Sequence, residues 1–134
     1  MSAKHGRCLC GAVRFSYSGD ENWRAHCHCE SCRRQTSSPF TTFMGVPNGA
    51  WRMTGETLKT YVSSPGVRRL FCSDCGSPIA YQADVFPDEI HFYAACLDDP
   101  ASFKPERHVH AGEQLPWIEL ADDLPRHSRS GPDG

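Results

Sequence analysis

Phe71-Cys72-Ser73-Asp74-Cys75-Gly76-Ser77-Pro78 decides how this chain folds, because it has a counterpart about sixty residues earlier in Cys8-Leu9-Cys10-Gly11. Each segment offers two thiols one to three positions apart, followed at once by glycine. Glycine there lets the backbone turn with positive φ, so that amide N–H groups can face the sulfurs. A tetrahedral zinc holds each sulfur at about 2.3 Å, so one short loop can supply two ligands. A disulfide between Cys8 and Cys10 would instead close a strained, very small ring. Cys8 and Cys10 stand two apart at the mouth of a strand and share a face. Two such loops facing each other complete a closed site of four thiolates. That site would tie the first strand to a hairpin far along the chain, and a lean core gains most from a crosslink of that span.

A third group, Cys27-His28-Cys29-Glu30-Ser31-Cys32, lacks the glycine and runs straight into Arg33-Arg34. Its three thiols could hold one metal from a single continuous segment and leave one position vacant. Structural zinc sites are filled by protein, whereas catalytic ones keep a position open. The alternative is a second structural site completed by a ligand from elsewhere. His26 and His28 alternate with Cys27 and Cys29, so in an extended segment they point away and read as hydrogen-bonded or surface residues. Cys96, the eighth thiol, reads as a small packed hydrophobe, with contact to the second metal or its substrate as the other reading. His108 and His110 share a face and read as pocket-wall or surface residues.

Composition sets the frame. At 134 residues, 39% hydrophobic and with a mean hydropathy of -0.52, the chain has room for one modest core, expected over residues 1–125. Residues 126–134 contain no apolar anchor and are expected to be disordered. The formal charge of -2 and the lack of a basic face speak against a nucleic-acid partner. No apolar run is long enough to span a membrane, and Met1–Arg7 has no apolar core of a secretory signal. A cytoplasmic location is therefore expected, where reduced thiols favour metal over disulfides. Arg68-Arg69 reads as a solvated strand face. Of Arg33-Arg34, one is expected near the site and the other in solvent or capping the turn.

Strand signals dominate the rest. Val13–Tyr17 alternates apolar and polar residues, and Phe40–Val46 is rich in β-formers and stops at Pro47-Asn48-Gly49. Further strands are expected at Trp51–Thr54, Leu58–Ser63, Val67–Phe71, Pro78–Ala83, Glu89–Leu97 and Arg107–Ala111. The one helical stretch expected is Glu30–Thr36, ended before Pro39, with a second short turn near Pro100–Phe103. The fold class that follows is all-β and antiparallel, with one or two short helical turns.

The three cysteine motifs, in this order, with Leu97-Asp98-Asp99-Pro100 and Pro116-Trp117-Ile118 after them, resemble the glutathione-dependent formaldehyde-activating enzyme family, which includes centromere protein V. The resemblance runs over roughly residues 5 to 125 and is that of a compact bacterial-type member. It implies an Mss4-like fold of zinc-stapled antiparallel sheets. It also implies two zinc ions per chain: a structural one at Cys8, Cys10, Cys72 and Cys75, and a catalytic one at Cys27, Cys29 and Cys32. The implied activity is of the carbon–sulfur lyase or S-hydroxymethylglutathione synthase type. A thiol such as glutathione would bind as thiolate at the three-cysteine zinc and react with a small aldehyde, with Arg33, Arg34 and Cys96 as substrate-binding candidates. Two non-enzymatic readings stand beside it: a zinc-stapled protein-interaction module, and a thiol redox or metal-handling protein.

Overall fold

The computed structural model describes residues 3–130 and is built mostly of strands. The described residues gather into two compact units, one within 3–23 and 44–103, the other within 24–43 and 104–130. Each unit uses two separated stretches of chain, so no single linker divides them.

In the first unit, β1 (Lys4–Arg7) and β2 (Arg14–Tyr17) form an antiparallel hairpin. The loop between them carries Cys8 and Cys10. β2 pairs on its other side with β5 (Trp51–Thr54). A meander follows, in which β6 (Leu58–Ser64), β7 (Val67–Cys72), β8 (Pro78–Ala83) and β9 (Glu89–Tyr93) pair in turn, all antiparallel. The β7–β8 turn carries Cys72 and Cys75. Alternation places Phe15 and Tyr17 of β2 inward, and β9 contributes Ile90 and Phe92, both fully buried. The Phe15 and Phe92 rings stack with centroids 4.2 Å apart. Cys8 and Cys72 belong to this same apolar cluster, so the first sulfur loop is anchored in the core.

The second unit holds most of β3 (Trp23–Cys27), the helix α1 (Glu30–Thr36), the first residues of β4 (Thr41–Pro47) and β10 (Arg107–Val109). Here β10 lies parallel to β3, with His108 opposite His26 and Val109 opposite Cys27. This pair departs from the antiparallel pairings described in the first unit. After β10 the chain loops out and returns. The His108 N–H donates to Pro125 O at 2.8 Å, His127 N–H to His108 O at 2.9 Å, and His110 N–H to Arg129 O at 2.7 Å. Residues 126–129, expected to begin an unanchored tail, are thus held along β10 by backbone hydrogen bonds that need no apolar side chain. Residues 131–134 of that stretch lie outside the described residues.

Most expected elements fall where the pattern puts them, and the differences have local causes. β9 stops at Tyr93 rather than Leu97, because Ala94–Cys96 winds into a 3-10 turn closed by Leu97 N–H to Ala94 O at 3.1 Å. β1 and β3 carry no clear alternation in sequence, and their partners impose them. Arg69 is buried, not solvated: its Nε lies 3.2 Å from Ser63 Oγ and its guanidinium 5.1 Å from the Tyr81 ring centroid. Among the described residues, no helix is long and apolar enough to cross a membrane.

Glu89, at the start of β9, ties this unit together. It accepts from Asn22 Nδ2 at 2.9 Å, Trp23 Nε1 at 2.8 Å and His91 Nε2 at 2.6 Å. Burial alone would raise its pKa, but the His91, Asn22 and Trp23 hydrogen bonds outweigh burial and lower it to about 2. A depressed carboxyl adds stability above its unfolded pKa, and that stability is lost as pH falls through the folded value. Glu89→Gln should therefore melt below wild type at neutral pH. The gap should narrow as pH drops from about 4.5 toward about 2. Thermal melts of both proteins across that range measure it, and a gap independent of pH would refute the assignment.

Candidate metal centres

The two glycine-closed loops meet as expected. In the first, Cys8 N–H donates to Val13 O at 3.0 Å and Gly11 N–H to Cys8 O at 3.1 Å. In the second, Cys72 N–H donates to Ser77 O at 3.0 Å and Gly76 N–H to Cys72 O at 2.7 Å. Leu9 N–H reaches across to Ser77 Oγ at 2.9 Å and links the two loops. Both glycines take positive φ, +83° at Gly11 and +79° at Gly76.

The thiols of Cys8, Cys10, Cys72 and Cys75 all lie within 4.8 Å of one another. The Cys8–Cys10 and Cys10–Cys72 sulfurs are 3.6 and 3.8 Å apart. A tetrahedral zinc with bonds of about 2.3 Å requires sulfurs about 3.8 Å apart, so these residues fit that ion in donor type, number and spacing. Local donors already favour ionised sulfur. The Thr57 hydroxyl, followed by the Cys75 and Asp74 N–H groups, lowers Cys72. The Ser77 hydroxyl, with the Cys10 and Ser77 N–H groups, brings Cys75 down to about 5. Cys10 goes the other way: the Ala12 N–H pulls it down, but Cys8, desolvation, Cys75 and Cys72 push it up to about 12. Within this group Cys10 and the pair Cys72 and Cys75 are thus pushed in opposite directions.

The second group is assembled within one short segment. Cys27 ends β3, Cys29 is the N-cap of α1, and Cys32 lies in its first turn. Cys29 Sγ accepts from Cys32 N–H at 3.4 Å, as a serine or aspartate oxygen would at this position. The capping bond thus ties the Cys29 thiol to the backbone of Cys32. All three sulfurs lie within 4.8 Å of one another, and among the described residues no fourth Cys, His, Asp or Glu joins them. Cys27 and Cys32 are buried while Cys29 is half-buried. Hydrogen bonding with Cys29 and Cys32, then burial, raises the Cys27 thiol. Cys29 is lowered by its bond with Cys27, but Cys32 and burial outweigh that and raise it.

The remaining candidates separate clearly. Arg34 Nε pairs with Glu30 Oε2 at 2.8 Å on the exposed face of α1. Arg33 is half-buried, and its Nε is buried without a hydrogen-bond partner. Cys96 joins neither sulfur group. It lies in the first unit, lining a pocket with Arg7, Cys8, Leu9 and Ser77, its Sγ 3.5 Å from Pro78 O. Burial, followed by the charges of Cys8 and Cys75, pushes its thiol up to about 11. Its electrostatic neighbours Cys8 and Cys75 belong to the four-thiol group.

A third constellation escaped the sequence reading. His28 and His108 are each fully buried, and His28 Nε2 lies 2.9 Å from His108 Nδ1. His108 Nε2 is 3.0 Å from both carboxylate oxygens of Asp122. His26 is held apart by a 2.8 Å bond from its Nδ1 to Thr42 Oγ1, although His26, His108 and Asp122 also offer ligand atoms within 4.8 Å of one another. His110, expected beside His108, instead faces Glu113 at 3.3 Å. The signal that could have found this set was the parallel register of β3 and β10, which no local pattern announces.

The sequence profile of the glutathione-dependent formaldehyde-activating enzyme family matches residues 3–113. The chain belongs to that family. Among its relatives is an uncharacterized lyase of Schizosaccharomyces pombe, 33% identical over 81 residues, which are 60% of this chain and 58% of that protein. Another is a Halomonas elongata protein whose name assigns it provisionally as a glutathione-dependent formaldehyde-activating enzyme. It is 28% identical over 126 residues, covering 86% of this chain and 79% of that one. The chain thus spans little more than half the length of the yeast relative. A crystal structure of a Rhodobacter sphaeroides protein superposes with a TM-score of 0.59 at 24% identity, covering 70% of this chain and 87% of that one, and shares the fold. The family match contains all three cysteine motifs.

The loop glycines give a test independent of metal. A Cβ on Gly76 would meet nothing within 4 Å, so only its φ of +79° opposes a side chain. Gly76→Ala should cost about 1–2 kcal/mol, the price of placing an L-residue in left-handed backbone, and Gly76→Asn should cost less. Denaturant unfolding of the three proteins measures this, and equal losses for Ala and Asn would point to a cause other than φ.

Proposed function

We propose that Cys8, Cys10, Cys72 and Cys75 hold a structural zinc, that Cys27, Cys29 and Cys32 hold a second, and that the second centre serves chemistry on thiol adducts. The observation that carries this reading is the three-thiol group with no fourth protein donor among the described residues. Zinc bound there would supply a Lewis-acidic position at which a substrate thiol loses its proton. The relatives' names, a lyase and a formaldehyde-activating enzyme, favour glutathione and a small aldehyde as the reactants. The reaction joins the thiol sulfur to the carbonyl carbon, the thiol proton ending on the former carbonyl oxygen; the reverse reaction breaks the same carbon–sulfur bond. All eight cysteines are free thiols, which suits a reducing compartment such as the cytoplasm.

This chain's own residues divide the work. Cys29 presents its thiol from a half-buried position while Cys27 and Cys32 close the back of the centre. Arg33 offers a buried, unpartnered Nε beside Cys32, suited to a carboxylate of an anionic thiol such as glutathione. Arg34 is engaged by Glu30 and stays in solvent. Removing one charge-assisted hydrogen bond costs about 1.5–3 kcal/mol, or roughly tenfold or more in affinity. In cobalt-substituted protein, the glutathione concentration that half-shifts the thiolate-to-metal absorption should therefore rise at least about tenfold in Arg33→Ala. It should hold within about twofold in Arg34→Ala. Equal effects would remove Arg33 from the site, and no spectral response to glutathione in wild type would count against a thiol substrate.

Metal analysis should find two zinc ions per chain, and substituting one ligand of each centre separates their roles. Cys10 and Cys72 are 62 residues apart, so metal between them closes a long loop. Zinc in such sites binds with apparent energies on the order of 10 kcal/mol, comparable with the stability of a small domain. Cys10→Ser should lower the melting temperature sharply or leave the protein insoluble. Cys29→Ser should melt close to wild type while losing one zinc and any thiol-dependent activity. The opposite pattern would mean the two roles are reversed.

A further inference from the structure

We infer that Asp122, His108 and His28 form a directional hydrogen-bond chain that positions the Cys27–Cys29 segment, making Asp122 and His108 positioning residues for the three-thiol centre. The inference rests on the reading that Cys27, Cys29 and Cys32 hold a metal.

Direction follows from the chemistry of the end group. A carboxylate only accepts, so His108 Nε2, 3.0 Å from both Asp122 oxygens, carries the hydrogen. A neutral imidazole has one N–H, so His108 Nδ1 is left as an acceptor. The partner 2.9 Å away, His28 Nε2, must then be the donor. His28 Nδ1 is left with a bare lone pair, and that atom is buried without a hydrogen-bond partner. The reverse order would aim a His108 lone pair at the carboxylate and leave a buried N–H on His28 with no acceptor. Both features are unfavourable.

The chain grips the segment between two thiols. His28 is the residue joining Cys27 to Cys29, and its ring is held by His108 while its N–H donates to Val109 O at 3.1 Å. The His28 and His108 rings lie 5.1 Å apart at 26°, with Phe40 5.4 Å from His28. Rotation of His28 out of this slot would swing both sulfurs. At the far end, Asp122 accepts from Leu124 N–H at 3.1 Å, and the backbone just beyond bonds to His108. A segment about ninety residues downstream therefore sets the backbone that presents the thiols.

The same geometry bears on His26, His108 and Asp122 as a metal site of their own. With its Nε2 hydrogen directed at Asp122, His108 has no lone pair to give an ion there. A third metal would require the whole chain to reverse.

Nitrogen-15 NMR of the imidazoles in zinc-loaded protein reads the chain directly, and both His28 and His108 should be Nε2–H tautomers. In Asp122→Ala, His108 should gain Nδ1–H population. Chelator should then strip cobalt from the three-thiol centre at least about tenfold faster, the scale on which outer-shell partners support metal sites. Release from the four-thiol centre should not change. Asp122→Asn, whose side-chain oxygen can still accept, should retain the tautomers and fall between the two; it carries the comparison if the alanine variant does not fold. Residues that merely filled space would leave the tautomers unmoved. Unchanged tautomers or unchanged release in Asp122→Ala would overturn the inference, as would a third metal equivalent lost with Asp122. If wild type carries no metal on Cys27, Cys29 and Cys32, the metal reading falls and this inference with it. If wild type carries that metal and the variants retain it equally, only the inference falls.

Discussion

Within a group of four sulfurs held within 4.8 Å of one another, Cys10 on one side and Cys72 and Cys75 on the other carry opposed preferences. Cys72 and Cys75 are drawn toward ionisation by hydroxyl and amide donors, whereas their neighbours push Cys10 up to about 12. The donors belong to the loops and not to any ion: Val13 N–H reaches Cys8 Sγ at 3.3 Å and the Ser77 hydroxyl reaches Cys75 Sγ at 3.2 Å. Backbone hydrogen bonds inside each loop close it, and the Leu9–Ser77 bond joins the pair. The fold therefore prepares the crowding, and a dication placed there would relieve it. With Cys8 and Cys72 inside the apolar cluster, relief at the sulfurs and burial of Phe15 and Phe92 favour the same chain path.

The two sulfur groups obtain their geometry by opposite routes. The first needs two loops brought together across a long stretch of sequence, and its spacing is a product of tertiary structure. The second takes its spacing from a strand end and a helix start. A seven-residue helix is marginal by itself. The Cys29 cap holds α1 and ties the Cys29 thiol to the Cys32 backbone with one bond. Thr36 Oγ1 closes the other end on Cys32 O at 2.8 Å, and Ser37 leaves the helix with φ of +55°. A centre of this kind closes no long loop, which leaves its backbone dependent on packing from elsewhere, and the histidine chain from β10 supplies that.

What was legible in the sequence was what depends on neighbours in sequence. The cysteine spacing pointed to both sulfur groups, the glycine after each outer pair to the positive φ, and Pro39 to the end of α1. The loss of alternation at Ala94-Ala95 is a local signal for the end of β9. By contrast, Lys4–Arg7 shows no pattern of its own and becomes a strand because Arg14–Tyr17 supplies hydrogen bonds. Arg68 and Arg69 look alike in sequence, yet Arg68 reaches Asp84 at 3.0 Å in solvent and Arg69 is buried against Tyr81. Which of two adjacent charges enters a sheet face is set by register, and register is a property of the partner strand.

The histidines show the same limit at the site itself. Alternation turns His28 away from the thiols of Cys27 and Cys29, which reads as a hydrogen-bonded or surface residue, and the hydrogen bond is the one to His108. In a strand, the face opposite a ligand is where its backbone is held, so a buried residue there can govern the ligands on either side of it. The family match ends at residue 113, short of Asp122. The profile match therefore contains the three cysteine motifs and β10 but stops before Asp122. The three-thiol segment is packed against this chain's own returning segment, where Asp122 faces His108.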